Sequence, residues 1–308
     1  MNRFADTTGA VTDHYGSNQR AWLAKYLGIS PIVVLIIVFF FIPLLYLLRI
    51  SFLANKDLAP TASLIGDYGL NQYIMLITDR FFYEMLGNSL MISVFTSILT
   101  LMLSYPAAWY LANAGGWERT IVSAICLLPL FVNIVVSVFG WNVLLLPYGV
   151  LQQFLSSVGL ITGPLTIFRG ATGLILVLSY ESLPYAILIL VASIQGIHPD
   201  KINAARTLGA SSIRIFMTIA APLSMPGIIA SMILVFSLSI SSYLIPTLVS
   251  GSRVVVLPLQ IFSTTVEIMD WPNASAMSIS LLMIVFGLTY GFTVMTSRAT
   301  RRGQWSMV

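Results

Sequence analysis

The chain is short of nearly everything a catalytic centre needs. Its 308 residues hold one cysteine, two histidines and three lysines, and charged residues make up only 8% of it. A lone Cys126 excludes an internal disulfide or a cysteine cluster, and reads as a packing residue inside an apolar run. His14 and His198 stand far apart, and no H-E-x-x-H pattern is present, so no metal ligand set is legible. None of Lys25, Lys56 and Lys201 follows a glycine, which rules out the G-x-x-x-x-G-K-[ST] phosphate loop and with it an ATPase of that kind. A G-x-S-x-G elbow is also missing. The chain is therefore not expected to be an enzyme.

What is abundant is apolar surface. Hydrophobic residues make up 57% of the sequence and the mean hydropathy is +0.91. A water-soluble domain of this length needs no such excess, so much of it must face lipid. Apolar stretches near 29–53, 84–112, 120–143, 171–195, 223–248 and 273–297 each match the roughly 20 helical residues that cross a hydrocarbon layer. They lack the alternation of a barrel strand, and a lone helix satisfies its own backbone in lipid, so an all-α membrane protein of six spans is expected. The first stretch is too long for a signal h-region and is expected to remain as a span. Residues 1–28 form a polar segment in which SNQRAWLAKYLG has the pattern of an interfacial helix or a disordered tail. Residues 298–308 are expected to be a tail beyond the six-span domain at 29–297.

Basic residues orient the bundle. With both termini inside, Arg3, Arg20, Lys25, Arg119, Lys201, Arg206, Arg214, Arg298, Arg301 and Arg302 fall on the inner side. Arg49, Lys56, Arg80, Arg169 and Arg253 remain for the outer side or span ends, a positive-inside bias. This topology accounts for the net charge of +4 without invoking nucleic acid.

One loop interrupts the apolar pattern. Residues 196–227 read GIHPDKINAARTLGASSIRIFMTIAAPLSMPG, a cytoplasmic segment with helix–break–helix signals. Pro199 suits the first helical position. Ala204, Ala205 and Leu208 share a face, Gly209 supplies a left-handed stop, and Ser211 or Ser212 can cap the next helix. His198 either caps the short helix or is solvated. A short, basic, small-faced helix outside a membrane bundle is suited to docking on another protein.

At this loop the chain resembles the inner-membrane permease subunits of ATP-binding-cassette importers, whose signature is E-A-A, three residues, G, nine residues, I-x-L-P. Here Asn203, Ala204, Ala205, Gly209, Ile219 and Pro222 keep that spacing, while Asn203 stands for the acidic residue and Ala221 for leucine. The likeness extends to NSLMISVFTSILTLMLSYPAAWYLA (88–112), to the stretch at 149–168 with Gln152 for a usual asparagine, and to 225–251 and 270–286. These stretches are similar to the spermidine/putrescine-type branch, and the run IPLLYLLRISF (42–52) looks like the first of its two permeases.

The resemblance implies a type I importer permease bundle with a coupling helix, in a bacterial inner membrane, both termini cytoplasmic. It implies four partners: membrane lipid, a second permease subunit, cytoplasmic ATP-binding-cassette subunits that carry ATP and Mg, and an extracytoplasmic substrate-binding protein. It assigns Asn203, Ala204, Ala205, Leu208 and Gly209 to ATPase coupling, and favours a polyamine or related small amine as substrate. Iron, opines and aminophosphonates are carried by other relatives of the branch. No cofactor is expected in this chain.

Glu181 is the one acidic residue deep in a span, in LVLSYESLPYAILIL. Intramembrane charge is costly and marks function by default. With Tyr180 and Tyr185 it offers a cation both a carboxylate and aromatic faces, and Tyr243 is a further pathway candidate. A structural role, pairing with a partner permease or bonding backbone freed by Pro184, stands beside that reading. Asn133 and Asn142 are expected in helix–helix hydrogen bonds, and Trp141, Trp271 and Trp305 as interface anchors. A self-sufficient secondary transporter or channel is the rival: it calls for an inverted repeat and coupling-ion carboxylates, and only Glu181 is available. A membrane scaffold explains the docking loop but not the correspondence across the spans.

Overall fold

A computed structural model describes residues 30–54, 68–145, 149–160, 170–249 and 254–305. The expected interfacial helix in 1–28 lies outside them, as do Lys56, Arg169, Arg253 and most of the outer loop beyond Leu160. Among the described residues there is no strand, only a single antiparallel bridge between Leu53 and Tyr68.

The first span is α1 (Ser30–Ile50), with a π-turn at Ile37–Phe41 ahead of Pro43. The short α2 (Asn71–Thr78) leads through Asp79, whose carboxylate accepts from the Phe81 N–H, into α3 (Arg80–Asn113). At 34 residues α3 is about 51 Å long, well beyond the roughly 30 Å of hydrocarbon. It therefore overhangs the hydrocarbon at one end or both. Span four is α7 (Ala171–Gln195), as expected.

The third expected span, 120–143, is broken. Its residues lie in α4 (Gly116–Leu127), a 3₁₀ turn at Leu128–Phe131, and the first part of α5 (Ile134–Leu145). Pro129 has no N–H for an α ladder, and the Asn133 side chain accepts from the Val135 N–H to start a new helix. Asn133 is thus a cap rather than an interhelical bond. The apolar segment of span length here is Ile134–Ser157, which includes α6 (Val150–Ser157).

The fifth expected span, 223–248, is also divided. Residues Ser212–Leu223 form α9, a helix with a π-turn at Phe216–Ala220. It meets α10 (Met225–Ile240) at a 72° bend around Ser224. The α10 helix stops where the Ser241 hydroxyl bonds back to the Ser237 carbonyl (2.7 Å), and α11 (Leu244–Val249) follows. Next come α12 (Leu257–Val266) and α13 (Trp271–Trp305). The Asp270 carboxylate caps α13 by accepting from the Asn273 N–H (3.2 Å), with Pro272 in the first turn as expected. The helix does not stop at the expected tail but runs on through residue 298 to Trp305.

The centre of the bundle is α3 against α7, the most extensive helix pair, with α10 packed on both. The buried stripe of α3 is hydroxylic: Ser89, Ser93, Thr96, Ser97, Thr100 and Ser104. Ser89, Ser93 and Ser97 each donate to the carbonyl four residues back, while the Thr96 and Thr100 hydroxyls are buried without a hydrogen-bond partner. Ser89 Oγ also accepts from the Leu257 N–H (2.8 Å), tying α12 to α3. An apolar cluster of Ile92, Val138, Leu174, Val177 and Ile245 fills the space between α3, α5, α7 and α11. The first span packs along α13, with residues 30–45 almost wholly exposed.

Candidate functional site

The loop after α7 forms as its residues dictate. The short helix α8 (Pro199–Thr207) begins with Pro199 at a first-turn position. Its N-cap, His198, makes no cap bond; the imidazole lies 3.1 Å from the Asp200 carboxylate in the open. At the far end Gly209 has φ +78°, the Gly209 N–H donates to the Arg206 carbonyl and the Ala210 N–H to the Ala205 carbonyl. Those two bonds are the Schellman stop. The Ser211 hydroxyl then accepts from the Arg214 N–H and caps α9.

The residues expected to couple do not share one exposed face. Asn203 and Ala204 are exposed, and Leu208 is 87% exposed. Ala205 is not part of that surface: it is 9% exposed and turned into the chain. A residue one position from Ala204 is rotated about 100° around the helix, so the two alanines divide between an outer and an inner face. Ala205 seats α8, and Ala204 with Leu208, one turn apart, form the free stripe.

Behind the loop lies a linkage that sequence reasoning did not find. Phe216 packs edge-on against Tyr105 (4.8 Å) and Trp109 (5.6 Å) of α3. The Tyr105 and Ser224 hydroxyls are 2.7 Å apart, and Ser193 of α7 donates to the Ser224 carbonyl at 3.4 Å. A Cβ built on Gly227 would overlap the Ser193 side chain, so only glycine lets α10 approach α7 here. The bend at Ser224 is thereby clamped to two core helices. The SMPG run carried the signal, since Pro and Gly beside a span mark a turn or a close approach.

The intramembrane candidates do not form one group. The Glu181 carboxyl lies within the bundle beside the Ser137 hydroxyl of α5, and its Oε1 is buried without a hydrogen-bond partner. Tyr180 is next to it in sequence, its ring edge-on to Trp141 at 5.3 Å. Tyr185, one turn along α7, is 42% exposed. Tyr243 sits elsewhere: its ring stacks on Phe262 at 4.9 Å, in a cleft of about 480 Å³ between α10, α12 and α13. The expected helix–helix bond from Asn142 is present, to the Leu248 carbonyl of α11 at 2.9 Å. Trp141, expected as an interface anchor, is half-buried and packs against the α5–α7 cluster. No trio of His, Cys, Asp or Glu is placed to hold a metal among the described residues.

A lipid-crossing helical bundle with a short helix projected from one loop, and that loop clamped to the core helices, defines a transport permease driven by an external partner. The chain belongs to the family of binding-protein-dependent transport system inner membrane components, whose model matches residues 104–301. It is 32% identical over 260 residues to the spermidine/putrescine transport system permease protein PotB of Escherichia coli, covering 84% of this chain and 93% of that protein. PotB of Haemophilus influenzae is 29% identical over 258 residues, covering 81% and 86% respectively. Among solved structures, a bacterial ABC transporter involved in the import of the acidic polysaccharide alginate has a chain that superposes with TM-score 0.71. That match has 19% identity over 93% of this chain and 99% of the other, and shows a shared fold.

The chain is therefore a permease subunit of a binding-protein-dependent ABC importer and a multi-pass inner-membrane protein. Its relatives are permease proteins, so it is a transport subunit and not an enzyme.

Proposed function

We propose that this permease imports a polyamine or a related small organic amine. Its likeness to PotB favours that substrate class, and the buried, unpartnered Oε1 of Glu181 carries the reading. A carboxylate oxygen inside a bundle with no donor is costly to keep, and a passing ammonium supplies both the charge and the N–H groups it lacks. The chain works beside a second permease and receives substrate from a soluble binding protein on the outer side. Both termini lie in the cytoplasm, where ATP and Mg are bound by cassette subunits. Leu208, Ala204 and Asn203 enter a groove on a cassette subunit, Gly209 and Ala205 fix the angle of the helix, and the clamp at Ser224 passes cassette closure to α3 and α7, which is alternating access.

The test is uptake of labelled spermidine and putrescine by the full transporter, normalised to assembled complex. Glu181→Gln keeps shape and removes the charge. It is expected to lower normalised uptake by about tenfold or more, the loss of one charged hydrogen bond, while basal ATP hydrolysis persists. Normalised uptake near that of the unaltered protein, with less complex assembled, would make Glu181 structural and end the pathway role.

A further inference from the structure

At the C-terminal end of α3 a cleft of about 290 Å³ opens between α3, the start of α4 and the loop that carries α8. Its walls carry Trp109, Tyr110 and Asn113 from α3, Glu118 from α4, Arg206 from α8 and Ser212 from α9. The two charges have opposite sign yet make no ion pair with each other: Glu118 Oε2 accepts from the Tyr110 hydroxyl at 3.3 Å. Asn113 is engaged with the Trp109 carbonyl. What remains on offer is one guanidinium, one carboxylate and two aromatic side chains around an open space.

We propose that this cleft seats a zwitterionic headgroup of the phosphoethanolamine type, that of a lipid in the adjoining leaflet. A guanidinium matches phosphate oxygens with paired N–H donors, so Arg206 takes the phosphate, helped by the Ser212 hydroxyl. The primary ammonium, two carbons away, lies against Glu118 and the faces of Tyr110 and Trp109. A purely anionic headgroup leaves Glu118 unmatched, and a free cation leaves Arg206 unmatched. The source is lipid because tryptophan and tyrosine at the end of a span lie at headgroup level. The assignment does not depend on which amine the transporter carries, nor on Glu181. It ties the loop that bears the exposed Leu208 to the membrane surface, so lipid composition acts on coupling.

The whole transporter in nanodiscs of mixed phosphatidylethanolamine and phosphatidylglycerol tests this, with co-purifying lipid read by native mass spectrometry. Phosphatidylethanolamine should be retained over phosphatidylglycerol by about tenfold, the value of one charge-assisted contact. Glu118→Gln should erase the preference, while Arg206→Gln should lower retention of both lipids. Equal retention by the unaltered protein, or a preference that survives Glu118→Gln, would overturn the proposal. Displacement of the lipid by equimolar free phosphoethanolamine would overturn the lipid source. Loss of the cassette subunit from Glu118→Gln complexes with lipid retention unchanged would give the cleft to a protein contact and overturn it as well.

Discussion

Gly227 and Ser193 set the limit on how closely α10 and α7 pack, and the first β-carbon added there has no room. Gly227→Ala should therefore destabilise the assembled complex by about 1–3 kcal/mol, the usual cost of overpacking, seen as a lower midpoint of thermal unfolding. Ser193→Gly in the same chain should recover most of that loss, because it removes the atoms that collide. Unchanged stability in the single variant would mean that the two helices do not approach this closely. Single residues also show what sequence can and cannot say. Gly209 was legible because a glycine after a helical run has one common meaning, and its φ is +78°. Ala205 was misplaced because two adjacent alanines look alike in sequence, and only the neighbours behind the helix decide which one is covered.

At the scale of the element, α8 has an exposed stripe and a seated side. Leu208→Glu should leave the permease as stable as before, since the side chain is 87% exposed, yet should weaken cassette binding in a pull-down. Ala205→Glu should act differently, reducing folded permease before any partner is added, because it buries a charge without a partner. Equal effects from the two variants would contradict the division of faces. At Gly209 an added Cβ meets no atom within 4 Å, so the first cost of Gly209→Val is the left-handed backbone at φ +78°. It amounts to about 1–2 kcal/mol for a left-handed residue, spent on redirecting α8. Assembly should persist while ATP hydrolysis stimulated by the binding protein falls; normal stimulation would remove Gly209 from the coupling path. The broken third and fifth spans belong to this scale too. Length and hydropathy find a membrane segment, but Pro129 with Asn133, and Ser224 with Ser241, divide it by local hydrogen bonding that an apolar average does not register.

For the whole molecule, the distribution of Arg and Lys predicts an orientation that reporter fusions can read. Fusions near Lys25, Glu118, Lys201 and Arg301 should report cytoplasm, and those near Asp67, Gly159 and Gly251 the outer side. An external signal at Lys201 would reverse the bundle and take the docking helix away from any cytoplasmic ATPase. The contacts of Phe216, Tyr105, Ser224 and Ser193 join α3 and α7 to the bend between α9 and α10, and the proposed coupling runs from α8 through them.

Composition and spacing by themselves determined the all-helical membrane class, the positions of the second and fourth spans, the short capped helix in the coupling loop and the absence of an ATP-binding motif. Each of these rests on local physics: hydrocarbon solvation, backbone hydrogen bonding, or the dihedral freedom of one glycine. The tertiary structure alone decided which face of α8 is free, where Glu181 points, that Tyr243 lies apart from it, and that Arg206 and Glu118 share one cleft. The reason is distance along the chain. Glu118 and Arg206 are joined through helix packing rather than sequence spacing, and in a bundle where most helix surfaces are apolar no periodicity tells which surface meets protein and which meets lipid.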